Sequence, residues 1–170
     1  MKKLTLLILL MLPLALCSQA NSNLLSKSDF SEIRINDVTL LKLKETYGNK
    51  SKLEALIVQE IQRANIDPDG EFFNYEYDGF RIGFSGLIGK LEYPLISKFE
   101  ITNLDWSITI KGKTIKLGSH YNELGNVILN NKIDGGKSVV YQYCEGCNNF
   151  LALDLDENGK IKKIYYIEMT

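Results

Sequence analysis

The chain has 170 residues, 45% of them hydrophobic, with 20 basic residues against 21 acidic ones and a single histidine. Only Arg34, Arg63 and Arg81 are arginines, so no basic stripe is available, which argues against nucleic acid, whose binding is mainly phosphate neutralisation. No low-complexity tract interrupts the sequence, and it reads as globular almost throughout.

Residues 1–20, MKKLTLLILLMLPLALCSQA, have the parts of an export signal: Lys2 and Lys3, an apolar run from Leu4 to Leu16, and a small-residue exit. The run is too short for a permanent membrane helix, which needs roughly 20 residues, and no later run is long enough either. Two exits compete. Ser18 and Ala20 suit a signal-peptidase cut, whereas Cys17 sits where a lipoprotein is acylated, although Leu16 stands where that motif wants Gly, Ala or Ser. Both place the protein outside the cytoplasm, periplasmic or extracellular, with an outer-membrane lipid anchor if Cys17 is used. Removal of 1–20 leaves 18 basic residues against 21 acidic ones, a net charge of −3.

From residue 33 the pattern is a hairpin: Ile33 and Ile35 alternate, Asn36-Asp37 turns, and Thr39 and Leu40 return. A short helix follows. Ser51-Lys52-Leu53-Glu54 then reads as a capping box opening a longer helix to about Asn65, with Leu53, Leu56, Ile57, Ile61 and Ala64 on one face. Next, Phe73, Tyr75 and Tyr77 alternate with polar neighbours, Asp78-Gly79 turns, and Phe80, Ile82 and Phe84 return. LISKFEIT, residues 95–102, closes the series, and a boundary is expected between Asn103 and Trp106.

The same order then recurs. Ile108 and Ile110 pair with Ile33 and Ile35, Thr114 with Thr39, Ile115 with Leu40, and Gly125-Asn126 with Gly48-Asn49. Lys111-Gly112 forms the second hairpin turn, Ser119 is expected to cap a short helix over HYNEL, and Gly125 to end it in the left-handed conformation. Val139, Tyr141 and Tyr143 approach a longer turn, Phe150 to Leu155 return, and KIKKIYYIE closes. The expected fold is α+β: two tandem repeats, each a hairpin, a helical segment and about three antiparallel strands, at 21–103 and 104–170. One unit of this size has a thin core, so the two are expected to pack together.

Few residues offer chemistry. Cys144 and Cys147, in YCEGCNN, flank Glu145-Gly146 between two strands and are expected to form a disulfide; free thiols for redox work and a zinc site are the alternatives, and zinc needs two more ligands. DLDENGK, from Asp154, resembles the start of a calcium loop, but the twelfth position is Tyr165 and strands flank it, so a hairpin turn at Asn158-Gly159 is expected and no metal. His120 is the only base for Ser-His or Cys-His catalysis, and GLIGK, residues 86–90, lacks the spacing of a phosphate loop. No cofactor and no catalytic set are expected. Aromatic residues gather on the strands, and Tyr75, Tyr77, Tyr141 and Tyr143 are the candidate binding surface, since tyrosine combines rigid area with a polar tip.

The pattern I-x-I-x-G-K-x-I-x-L-G, carried by Ile108, Ile110, Gly112, Lys113, Ile115, Leu117 and Gly118, resembles the opening of a domain-of-unknown-function family of exported bacterial proteins. In the first unit Asp37, Val38, Lys42 and Leu43 stand where Gly112, Lys113, Leu117 and Gly118 stand in the second, so that copy departs from the pattern. The tandem helix-then-sheet order is more distantly similar to the β-lactamase-inhibitor-protein-like fold, shared by secreted enzyme inhibitors and small outer-membrane assembly lipoproteins. Neither resemblance brings catalytic residues. The expected function is a non-enzymatic exported protein that presents a sheet surface to an envelope protein or to an exported enzyme or toxin. The alternatives are a small redox or hydrolytic enzyme using Cys144 and Cys147 or His120, and a structural lipoprotein anchored through Cys17.

Overall fold

The structure, a computed structural model, describes residues 23–68, 71–87 and 90–168. The expected export signal and Cys17 lie outside these residues. Among the described residues, no helix is long and apolar enough to cross a membrane.

The described residues begin with β1 (Asn23–Leu24) and a five-residue helix α1 (Lys27–Ser31), whose first turn is capped by the Ser26 side chain accepting from Asp29 N–H. The first hairpin is β2 (Arg34–Ile35) and β3 (Val38–Thr39); the second is β8 (Ser107–Ile110) and β9 (Lys113–Lys116). Lys111 and Gly112 take φ of 49° and 74°, the mirror-image turn that two-residue hairpins favour. Asn36, at φ 50°, turns the first hairpin, and its Oδ1 accepts from both the amide (2.8 Å) and the hydroxyl (3.1 Å) of Ser107. That hook aligns β2 with β8, where Arg34 opposes Thr109 and Ile35 opposes Ile108, and joins the hairpins into a four-stranded sheet ordered β3-β2-β8-β9.

The larger sheet holds β4 (Arg63–Ile66), β5 (Phe72–Tyr77), β6 (Phe80–Leu87), β7 (Lys90–Ile101), β10 (Leu129–Asn131), β11 (Lys137–Gln142), β12 (Asn149–Leu155) and β13 (Ile161–Glu168), with β1 added at one edge. From β4 to β7 the strands run in chain order; β13, β12 and β11 continue the sheet in reverse order, and the halves meet where β7 pairs antiparallel with β13. At that seam Phe99 stacks on Tyr166, centroids 5.2 Å apart. The outer edge of β11 is divided between β10, antiparallel, and β1, parallel, and the Asn23 amide bonds both Ile128 and Val140 to hold the division.

One face of this sheet is covered. Tyr75, Phe80, Ile82, Phe84, Ile164 and Tyr166 alternate onto it and are buried. Against them pack Phe30 of α1, Leu40 and Leu43 of α2 (Leu40–Lys44), Leu53 of α3 (Lys50–Leu56) and the isoleucines of the small sheet. Each such side chain contributes about 1.5–3 kcal/mol by leaving water. The fold is α+β with strands predominating.

Two local expectations are corrected. The longer helix does not run from Ser51 to Asn65: Asn49 caps it, accepting from Lys52 N–H at 3.1 Å, and it ends at Leu56, with Ile57 already extended. Ile57, Val58 and Ile61 are β-branched and favour strand, and 63–66 gains a four-residue ladder with β5, from Arg63 opposite Glu76 to Ile66 opposite Phe73. The sheet thus satisfies backbone groups that a short helix would hold only marginally. Likewise His120, not Ser119, caps the turn of 3-10 helix at Tyr121–Leu124; its Nδ1 accepts from Asn122 N–H and Glu123 accepts from its own N–H, while Ser119 Oγ accepts from Lys116 N–H. Gly125 has the expected positive φ, 86°, but with ψ −144° it lies outside the left-handed helical basin, and Lys113 Nζ takes over the terminal Leu124 carbonyl at 2.9 Å.

Candidate binding face

A strand turns alternate residues to opposite faces, so the tyrosines of the sequence pattern share one fate. Tyr75, Tyr77 and Tyr141 are 1%, 3% and 5% exposed, on the covered face. Tyr75 donates its hydroxyl to the Gly48 carbonyl at 2.6 Å, behind α2. They are core, and the expectation of a tyrosine contact surface is corrected for these three residues. Tyr143, beyond the end of β11, remains 37% exposed and sets its ring edge-on against Phe30 at 5.6 Å. Burial accounts for the raised phenol pKa of each core tyrosine, Tyr141 being pushed up to about 12.

The opposite parity forms the face that the helices leave open. Strand register draws it into two rows, each crossing β4, β5, β6, β7, β13, β12 and β11. The first is Arg63, Glu76, Arg81, Glu100, Tyr165, Ala152 and Val140; the second is Asn65, Asn74, Gly83, Lys98, Ile167, Phe150 and Gln142. Seven strands at about 4.8 Å spacing make the rows roughly 29 Å long. The β4–β7 end is charged and the β13–β11 end is apolar and aromatic.

The ion pairs of this face run within the sheet. Glu76 lies between Arg63 (3.7 Å) and Arg81 (3.9 Å), and Glu100 pairs with Lys163 at 3.0 Å. Lys163 also lies 5.2 Å from the Tyr165 ring centroid, and Tyr165 meets Phe150 edge-on at 6.2 Å. Between the charged and apolar ends lies a depression of about 520 Å³ whose lining includes Asn74, Arg81, Gly83, Lys98, Glu100 and Tyr165. At the far side Asp154, 5% exposed, is held by Lys132 Nζ at 2.7 Å, and that hydrogen bond raises the lysine pKa.

The other candidate residues are placed apart. The sulfurs of Cys144 and Cys147 lie at disulfide distance, with Cα atoms 5.5 Å apart, in the connection between β11 and β12. Closing so short a loop is expected to contribute about 2 kcal/mol on a chain-entropy basis. Reduction, or Cys144→Ser with Cys147→Ser, should therefore lower the melting temperature by several degrees and leave the far-ultraviolet circular dichroism unchanged; loss of the fold would show the bridge to be essential. Residues Asp156–Lys160 form a hairpin turn in which Gly159, φ 76°, follows a turn centred one residue earlier than expected, and Asp156 Oδ1 accepts from Asn158 and Lys160 N–H. Among the described residues, no group of three or more His, Cys, Asp or Glu is placed to hold a metal ion. His120 serves as a helix cap, its ring stacked on Tyr121 at 4.8 Å.

The open-face residues do not stand out in the sequence by aromatic content. The signal was present in the polar parity: Asn74, Glu76, Arg81, Lys98, Glu100 and Lys163 alternate with the buried residues. Compared with known proteins, the chain matches no family model, no curated protein and no solved structure.

Proposed function

We propose that the protein is an exported, non-enzymatic binding protein that docks another protein on the open face of its large sheet. The observation that carries this reading is the pair of rows: a rigid, core-backed surface charged at one end and aromatic at the other, with Tyr165, Phe150 and Ile167 turned away from the core. A mixed surface of this kind suits a non-obligate interface, where apolar anchors bind and charges select the partner. Inhibition of an enzyme or toxin, and assistance to envelope assembly, both fit this surface. Export is supported by the signal-like residues 1–20 and by a cysteine pair at disulfide distance.

We also read the chain as two tandem units, similar in arrangement to the β-lactamase-inhibitor-protein-like fold. Support comes from the topology: hairpin pairs with hairpin through β2 and β8, last strand pairs with last strand through β7 and β13, and both partnerships are antiparallel.

The test is capture from the native cell envelope and medium with protein from residue 21 onward, in wild-type form and as Arg81→Glu. Arg81 is exposed, third in the first row between Glu76 and Glu100, so circular dichroism of the variant first checks that the added like charge leaves the sheet folded. A stoichiometric protein partner whose binding weakens about tenfold in the variant is expected, as for a central interface arginine. Absence of any partner, or one indifferent to Arg81, would sink the reading.

A further inference from the structure

Gly83 is anomalous in its place. It stands mid-strand on the open face, where glycine packs nothing and weakens a strand, and such a glycine often marks close approach by another group. Its φ is not in the positive region, so the backbone accepts any residue there. The nearby register shift does not require it either: Gly83 opposes Lys98 and Phe84 opposes Ile96, so the extra residue is Ser97, on β7.

The glycine instead makes room for the side chains of both cross-strand neighbours, Asn74 and Lys98. A Cβ on residue 83 would stand 3.1 Å from Lys98 Cε, 3.2 Å from Lys98 Cγ and 2.8 Å from Asn74 Oδ1. The hydrocarbon stem of Lys98 therefore lies across the bare strand, while the residue as a whole stays exposed to solvent. Yet the ammonium has no carboxylate partner among the described residues, whereas Arg63, Arg81 and Lys163 around it all do. The depression is lined by four cations, Arg63, Arg81, Lys98 and Lys163, against two carboxylates, Glu76 and Glu100. This local excess of positive charge sits on a chain whose formal net charge is −1.

We propose that Lys98, laid over Gly83, is the anchor for an Asp or Glu side chain on an acidic segment of the partner protein. The inference rests on the open-face reading above and adds the partner's chemistry to it. The carboxylate completes the one unpaired cation of the depression, while neighbouring partner residues cover Ile167 and Phe150, next along the same row. A free small anion would reach the ammonium and leave those apolar neighbours wet, so a protein segment uses the surface more fully.

The probe is an octapeptide alternating Glu and Val, titrated into isotope-labelled protein and followed by amide chemical shifts. A Lys-Val octapeptide and free glutamate are the controls. Shifts centred on Gly83, Lys98 and Ile167 are expected with the acidic peptide only, fading as salt screens the pair. Lys98→Glu should weaken binding by about tenfold or more, since like charges then face each other. Gly83→Ala, which keeps every charge but displaces the lysine stem, should also weaken it. Equal affinity of Lys98→Glu, shifts spread evenly over lysines of the helical layer such as Lys42 and Lys52, or an equal response to free glutamate would each overturn the proposal. A captured partner that needs Arg81 but ignores Lys98→Glu would sink this anchor alone and leave the open-face reading standing.

Discussion

Replacing Trp106 by alanine is expected to lower the free energy of unfolding by about 3–5 kcal/mol, the range for truncating a buried aromatic residue. Trp106 is 2% exposed, stacks on Phe80 with centroids 4.5 Å apart, lies 6.1 Å from the Tyr77 ring, and donates its indole N–H to the Asp78 carbonyl at 2.6 Å. It stands immediately before β8, so it fixes the corner where the chain leaves the large sheet for the small one. Trp106→Phe keeps a ring in the stack but removes the donor, and should cost about 0.5–1.5 kcal/mol for the lost hydrogen bond, since Asp78 lies in an exposed turn. Urea denaturation followed by circular dichroism checks both, since the chain has no second tryptophan to report by fluorescence. A near-neutral alanine variant would mean that the corner is held by other contacts.

The second large effect is alkaline. Tyr141 has its pKa pushed up to about 12 by burial, and burial likewise raises Tyr75, Tyr77 and Tyr166, the last also through its hydrogen bond to Glu168. A group with a raised pKa holds its proton more firmly when folded. The stability it contributes is fully present below the ordinary tyrosine value of about 10 and is lost as pH rises through the folded value. For Tyr141 alone, a difference of about two units corresponds to roughly 3 kcal/mol. Urea unfolding measured at increasing pH should show a flat plateau around neutrality and a steep decline above about pH 10. Phenolate absorbance from Tyr75, Tyr77, Tyr141 and Tyr166 should appear together with unfolding. Ionisation of these four at the ordinary pH, with the fold intact, would contradict their burial.

These two effects depend on features that differ in how far the sequence announces them. Alternation identified Tyr75, Tyr77, Phe80, Ile82 and Phe84 as strand residues, and strands they are. The turn chemistry of Lys111-Gly112 was also legible, because few dipeptides suit positive φ at both positions. Which face of the sheet is covered follows from the same alternation once the polar parity is read: Asn74, Glu76 and Arg81 could not be the core side. The aromatic parity suggests a contact surface as readily as a core because tyrosine suits both roles. The residues Ile57 to Asn65 depart from the helical expectation for a different reason. Their helical periodicity is real, but pairing with β5 is a tertiary gain that no local window contains. Helix α1 left a signal that was passed over, Ser26 three residues ahead of Asp29. The anchor at Lys98 was not legible at all, since it depends on Gly83 lying opposite it on the neighbouring strand.

The central claim, that the open sheet face is the docking surface, is tested most directly by lysine-acetylation footprinting of the protein free and bound to its captured partner. Lys98 and Lys163 lie on the open face, and Lys42 and Lys52 lie on the helical layer. Binding should shield Lys98 and Lys163 and leave Lys42 and Lys52 as reactive as before. Shielding of Lys42 and Lys52, with Lys98 and Lys163 still fully modified, would place the partner on the opposite side and contradict it.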